Sequence, residues 1–239
     1  MNDRTLENAD DSQCARVIAA RLARYRHRRR TLLDWMHPLR RERLWRTAGV
    51  PGGVDRSRTR SEDRSNDRSN EALAEAVLAD AGVPVPPLAC FVSPGAALAL
   101  IEPLHAQRIW RLRALCEHAD EIRAWIDRPR RALLAQWLGE SGVRVLLSMP
   151  RDLQGDLYRD LHPEAALDAR APDIADTLAA RGFERLAREC GEAFALMRFA
   201  LPNDALQAAW PELDDASTPR TTIADALAAR LPELLAEAA

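Results

Sequence analysis

Lysine is absent from this 239-residue chain, and all 34 of its basic residues are arginine. Beside 43 alanines, that bias reads as a GC-rich coding sequence rather than selection for arginine chemistry. β-Branched aliphatics are scarce, with 9 Val and 7 Ile against 33 Leu. Ala and Leu are the strongest helix formers, whereas Val and Ile favour sheets, so a mainly helical fold is expected. No apolar run reaches the roughly 20 residues needed to span a bilayer. The longest, Leu88 to Ile101, is interrupted by Ser93, Pro94 and Gly95. The first eleven residues hold Asp3, Glu7, Asp10 and Asp11 and no apolar stretch, so no secretory signal peptide is expected. Cys14, Cys90, Cys116 and Cys190 stand far apart without a CxxC pair. Reduced thiols in a cytoplasmic protein are the expectation, with neither disulfide nor stoichiometric zinc.

Catalytic signatures are missing as well. No GxSxG elbow occurs, and Gly52-Gly53 lacks the following Lys-Ser/Thr of a phosphate-binding loop. Cys116-Glu117-His118 is the nearest approach to a metal site. It lacks a second pair, and residues two apart on a helix face different directions, so Cys116 reads as a small buried hydrophobe. The paired acids Asp214-Asp215, and Asp152 with Asp156, read as exposed loop and helix faces. The chain is therefore expected to be no enzyme, with no cofactor and no small-molecule substrate. No period of 20 to 50 residues is visible, which argues against a solenoid.

What is present is charge asymmetry and helical patterning. The net charge is only −2, yet residues 16–60 hold 14 Arg against 3 acids, and residues 151–239 hold 9 Arg against 17 acids. A basic front and an acidic back can attract each other or meet different partners. Asp10, Asp11 and Ser12 are candidate caps for a long helix carrying Ile18, Leu22, Tyr25, Leu32 and Met36. His37-Pro38 is expected to end or kink it, because a residue before proline avoids the α region. Residues 51–70, with Asp-Arg-Ser starting at 55, 63 and 67, have almost no apolar residue and read as a flexible linker. A solvated loop is preferred there over phosphate binding by its Arg and Ser residues.

The expected division is a basic helical arm over 1–50, the linker over 51–70, a helical body over 71–200 and an acidic helical tail over 201–239. The fold class is a mainly α, irregular multi-helix bundle. The only candidate sheet is one short two-stranded β-ribbon pairing residues 88–92 with 143–149. Within the body, Pro103 opens a long helix with Ile109, Leu112, Cys116, Ala119, Ile122 and Ile126 along one side. A further helix from Asp127 ends at Gly139 or Gly142. Another, from Asp173 to Pro202, buries Ile174, Leu178, Leu186, Cys190, Phe194 and Met197. Thr222 to Asp225 has the form of a capping box, and Pro232 divides the last helix.

Two functional readings follow from the basic front. The run Arg21 to Arg30 could neutralise phosphates, which makes an arginine-rich nucleic-acid-binding regulator the alternative. Only Tyr25 interleaves it as a stacking aromatic, and no helix-turn-helix or zinc-finger pattern accompanies it. Contact with an acidic protein surface is the better reading. Around the expected kink, Trp35, His37, Pro38, Arg40, Arg41, Arg43 and Trp45 form a candidate partner-binding cluster, since Trp and Arg are common interface anchors.

The segment Leu32-Leu33-Asp34-Trp35-Met36-His37-Pro38-Leu39-Arg40, following a basic amphipathic helix, resembles the signature region of the SctK family. These are cytoplasmic accessory proteins of bacterial type III secretion, and the Hrp branch is the most similar. The stretch from Leu88 to Met149 is similar to that branch in order and character, with Ser93-Pro94-Gly95, Ile122-Arg123-Ala124-Trp125-Ile126-Asp127 and Trp137-Leu138-Gly139. The likeness covers roughly residues 15–200. The chain departs from the pattern at Leu39-Arg40, where many relatives have Ser-Trp, and in the 51–70 insertion. The resemblance implies a non-enzymatic adaptor of the sorting platform, contributing to virulence. It would link the inner-membrane ring protein (SctD) to the pod protein (SctQ) at the cytoplasmic base of the apparatus.

Overall fold

A computed structural model describes residues 3–47, 63–150, 173–202 and 222–236. Every regular element among them is helical, as the composition implied. The β-ribbon is not formed: Leu88–Phe91 is a 3-10 turn, and residues 143–148 complete a helix. A lone short strand leaves its ladder groups unpaired, whereas a helix satisfies them locally.

The chain separates into two compact units. The first comprises Met1–Val92 with Ala195–Trp210, and the second Ser93–Phe194 with Pro211–Ala239. This cut differs from the expected four segments. Residues 71–92 go with the basic arm, and the C-terminal helices go with the body.

Unit one contains α1 (Asp3–Arg30), α2 (Leu32–Trp35), α3 (Pro38–Thr47) and α4 (Asp63–Asp80). Helix α1 begins ahead of the expected caps at 10–12. Met36 is extended (φ −54°, ψ 143°) and Pro38 starts α3, so the chain breaks where His-Pro demanded. Helix α4 starts at Asp63, inside the segment expected to be a linker. Residues 51–62 of that segment lie outside the described residues. The core of this unit gathers Tyr25, Leu32, Met36, Leu78, Phe91, Leu196 and Met197. Tyr25 and Phe91 meet edge to face at 5.3 Å.

Unit two is built on α5 (Pro103–Leu115) against α8 (Ile174–Cys190). Gly182 makes that contact possible, because any Cβ there would collide with the Trp110 carbonyl oxygen. Trp110, Phe183 and Phe194 then interlock with edge-on and tilted rings 5.2–6.5 Å apart. A 3-10 turn (Cys116–His118) leads to α6 (Ala119–Arg123), so the long helix expected from Pro103 is broken twice. Ile126 falls beyond α6 and is exposed rather than part of the stripe.

Helix α7 (Arg128–Ser148) is two pieces joined at Gly139, whose φ of 67° only glycine adopts readily. The break exposes the Leu138 carbonyl, which accepts from Arg108, while Arg108 also reaches the Ser141 hydroxyl at 2.9 Å. Helix α8 ends at Cys190, not at Pro202. Gly191 turns with φ 66°, and a 3-10 stretch continues to Ala200. Last come α9 (Ile223–Ala229) and α10 (Leu231–Leu235). Thr222 and Asp225 form the full capping box, and the Asp225 carboxylate also accepts from the Gly95 amide at 2.9 Å. Ala224, Leu227 and Leu234 are buried.

Candidate partner-binding surface

Within unit one the arginines do two different jobs. Arg29 lies in the core, its side chain only 8% exposed. Nε and Nη2 clamp both oxygens of Glu75 on α4 at 3.2 and 2.7 Å, and Nη1 donates to the carbonyls of Val83 and Pro84. Burial works against the charge of Arg29, but the Glu75 carboxylate prevails and raises its pKa. For Tyr25, by contrast, burial itself raises the pKa, against the pull of Arg29 beside it. Arg28 donates to the Met197 sulfur at 3.3 Å and stands 5.9 Å from the centre of the Trp35 ring. Arg21 caps the turn at Phe91 and Val92 with bonds of 2.7 and 3.2 Å to their carbonyls. These three are internal fasteners. Part of the run proposed for phosphate binding is therefore already committed to protein oxygens and sulfur.

The seven candidate residues around the kink are brought together on α2, α3 and the link between them. His37 heads α3: its amide donates to the Phe199 carbonyl at 2.9 Å, and its Nδ1 accepts from the Leu39 amide at 3.2 Å. Trp35 donates its indole N–H to the Arg28 carbonyl at 3.0 Å and is half-buried. Arg40 donates from Nε to the Leu201 carbonyl at 2.7 Å and lies 5.6 Å over the Phe199 ring. Arg41 reaches the Leu33 carbonyl at 3.3 Å. Pro38, Leu39 and Arg43 are exposed, and Trp45 is half-buried. The cluster thus has an inner part, Trp35, His37, Arg40 and Arg41, which fastens α3 to its unit. Its outer part is Pro38, Arg43 and Trp45.

Unit two holds a charge network that sequence reasoning missed. Arg113 is buried and pairs with Glu117 at 3.0 Å, while its Nε donates to Glu189 at 2.8 Å. Arg185 closes the circuit on Glu117 at 2.9 Å. The remaining Glu189 oxygen accepts from the Ala224 amide at 2.8 Å, at the start of α9. Two cations and two anions balance. Desolvation opposes the charge on Arg113, but Glu189 and then Glu117 outweigh it and raise its pKa. The signal was available: Arg113 to Glu117 and Arg185 to Glu189 are both spaced i, i+4.

Glu117 is turned into this network, while His118 lies 3.6 Å from Glu121. Cys116 and Cys190 are buried. Burial pushes the Cys116 thiol up to about 12, against Arg113. Burial also raises Cys190, with Glu189 and Asp225 adding to it. Such thiols are poor nucleophiles.

Among the described residues no helix is long and apolar enough to cross a membrane. The model of the family described as "Bacterial type III secretion protein (HrpB4)" matches residues 13–237. No curated protein and no solved structure matches the chain.

Proposed function

Because the chain belongs to the bacterial type III secretion protein (HrpB4) family, we propose that it is a non-enzymatic adaptor of the cytoplasmic sorting platform. It links the cytoplasmic domain of the inner-membrane ring protein, SctD, to the pod protein, SctQ. Its place is peripheral, at the cytoplasmic base of the apparatus. The family match over nearly the whole chain carries this reading. The two compact units support it, since a linker needs separate bodies for separate partners. Charge supports it too, because the basic stretch over 16–60 suits an acidic partner surface.

The contact on unit one uses the cluster Trp35, His37, Pro38, Arg40, Arg41, Arg43 and Trp45. Its outer members touch the partner and its inner members hold them in place. The test separates the two roles. Arg43→Glu with Trp45→Ala should weaken capture of one cognate secretion component at least tenfold, by more than any change in the unfolding midpoint accounts for. Arg40→Glu should lower that midpoint, because the Leu201 carbonyl loses its donor. Failure of the wild-type protein to bind either component, together with salt-sensitive retardation of DNA, would replace the adaptor with the nucleic-acid reading.

A further inference from the structure

Helix α1 sorts its residues between two faces, because successive side chains turn by about 100°. Arg21, Leu22, Tyr25, Arg28 and Arg29 lie on one side, all buried or half-buried, with their guanidinium groups bonded inside unit one. Arg16, Ala20, Ala23, His27 and Arg30 lie on the other side, and every one is exposed. Ala19, Arg24 and Arg26 flank them and are exposed as well. Arg30 pairs with Glu71 at 3.0 Å. Among the described residues Arg16, Arg24 and Arg26 make no ion pair. No Asp or Glu occurs between Ser12 and Leu33. The arginines of α1 therefore form two sets, one structural and one presented to solvent.

We propose that the solvent face of α1 is a docking surface for an acidic helix of a partner protein. This rests on the adaptor reading and names the surface and the chemistry it selects. Positions 16, 20, 23, 27 and 30 are spaced alternately by four and three, the seam spacing of paired helices. Ala20 and Ala23 at the centre let a second helix approach to about 8 Å between axes. Arg24 and Arg26 stand on opposite edges of that seam, where guanidinium groups grip carboxylates in a bidentate manner. A second copy of the chain is disfavoured, since two such faces repel. A lipid surface lacks its usual foothold, because the face carries no Leu, Phe or Trp to insert. Nucleic acid lacks a stacking partner, because Tyr25 is buried.

The experiment compares the full-length protein, Arg16→Glu/Arg24→Glu/Arg26→Glu, and the Arg→Lys triple variant at the same positions. Each is titrated at near-physiological salt with the cognate pod protein, the cognate ring-protein domain, a short duplex DNA, and phosphatidylcholine vesicles containing phosphatidylglycerol. The expected result is at least a tenfold loss for one secretion partner in the Glu variant, and a smaller loss in the Lys variant. Helix content by circular dichroism should be unchanged, because all three positions are exposed. Partner affinities within twofold of wild type in the Glu variant would overturn the surface and leave the adaptor reading standing. Binding to DNA or vesicles that the Glu variant abolishes, with both partner affinities kept, would overturn it in favour of those ligands. If the wild-type protein binds neither partner, the adaptor reading falls. The surface is then judged with a synthetic Ala/Glu helical peptide and its Glu→Gln counterpart. Salt-sensitive binding of the Glu peptide alone, lost in the Glu variant, supports the face; no binding overturns it.

Discussion

Arg113 is the residue whose removal the molecule should tolerate least. Its guanidinium is buried between Glu117 and Glu189, and Glu189 also holds the first turn of α9. Arg113→Met keeps the apolar stem but leaves the Glu189 carboxylate without its cation in a poorly solvated site, while Glu117 keeps Arg185. Breaking one side of a buried pair costs about 3–5 kcal/mol. Urea unfolding should show that loss, and a cost under about 1 kcal/mol would mean the network is open to water. The buried thiols give a second test at this scale. Cys14 is exposed and should react with iodoacetamide in the native protein, while Cys116 and Cys190 should react only after unfolding. In the folded state the Cys116 proton is held up to about 12, whereas the ordinary value is 9.0. Below about pH 9 both states keep the proton and the full stabilisation is present. As pH rises from about 9 to about 12, only the unfolded chain releases it, so stability falls. Cys116→Ala should flatten that alkaline decline, measured by denaturant midpoints across the range.

At the scale of elements, α5 and α8 approach closely at Gly182. Gly182 faces the backbone of Trp110, which has no flexible end to move aside. Gly182→Ala must therefore push the helices apart and loosen the ring cluster of Trp110, Phe183 and Phe194. Overpacking of this kind costs about 1–3 kcal/mol, whereas alanine in an open helix position would stabilise. A lowered melting temperature with reduced near-ultraviolet circular dichroism is the expected outcome. An unchanged or raised melting temperature would show that the two helices are not held this closely. The capping box at Thr222 and Asp225 belongs to the same scale. It fixes where α9 begins, and the bond from Gly95 ties that helix to the turn Pro94–Leu100.

On the scale of the whole chain, the two units define what may be cut. The Asp-Arg-Ser segment divides at Asp63, where α4 starts. Deleting 51–62 should change the unfolding midpoint little, because that stretch of sequence has almost no apolar side chain whose burial could be lost. Deleting 51–70 also removes the first turns of α4, ahead of Glu71 and Glu75, which anchor Arg30 and Arg29. That deletion should lower the midpoint markedly. Equal effects of the two deletions would show that residues 63–70 add nothing to the helix.

The helical class, the break at His37-Pro38, an interruption at Gly139 or Gly142 (it falls at Gly139, as a kink) and the capping box were all legible in the sequence. Each rests on a local rule: propensity, the proline ring, glycine at positive φ, or a side chain meeting the next turn. The family was legible as well, in the Leu32–Arg40 segment and the pattern that follows it, and the match over 13–237 shows it. The fate of each arginine was not. Whether Arg29 clamps Glu75 while Arg26 faces solvent depends on which helix arrives against α1, and that is a long-range contact. The same holds for residues 143–148, apolar enough for a strand but completed as helix α7, and for Gly182, whose role exists only because Trp110 lies opposite. Local chemistry set the elements and their ends; which charges are buried and which are presented was settled by packing, because desolvation acts only once the neighbours are in place.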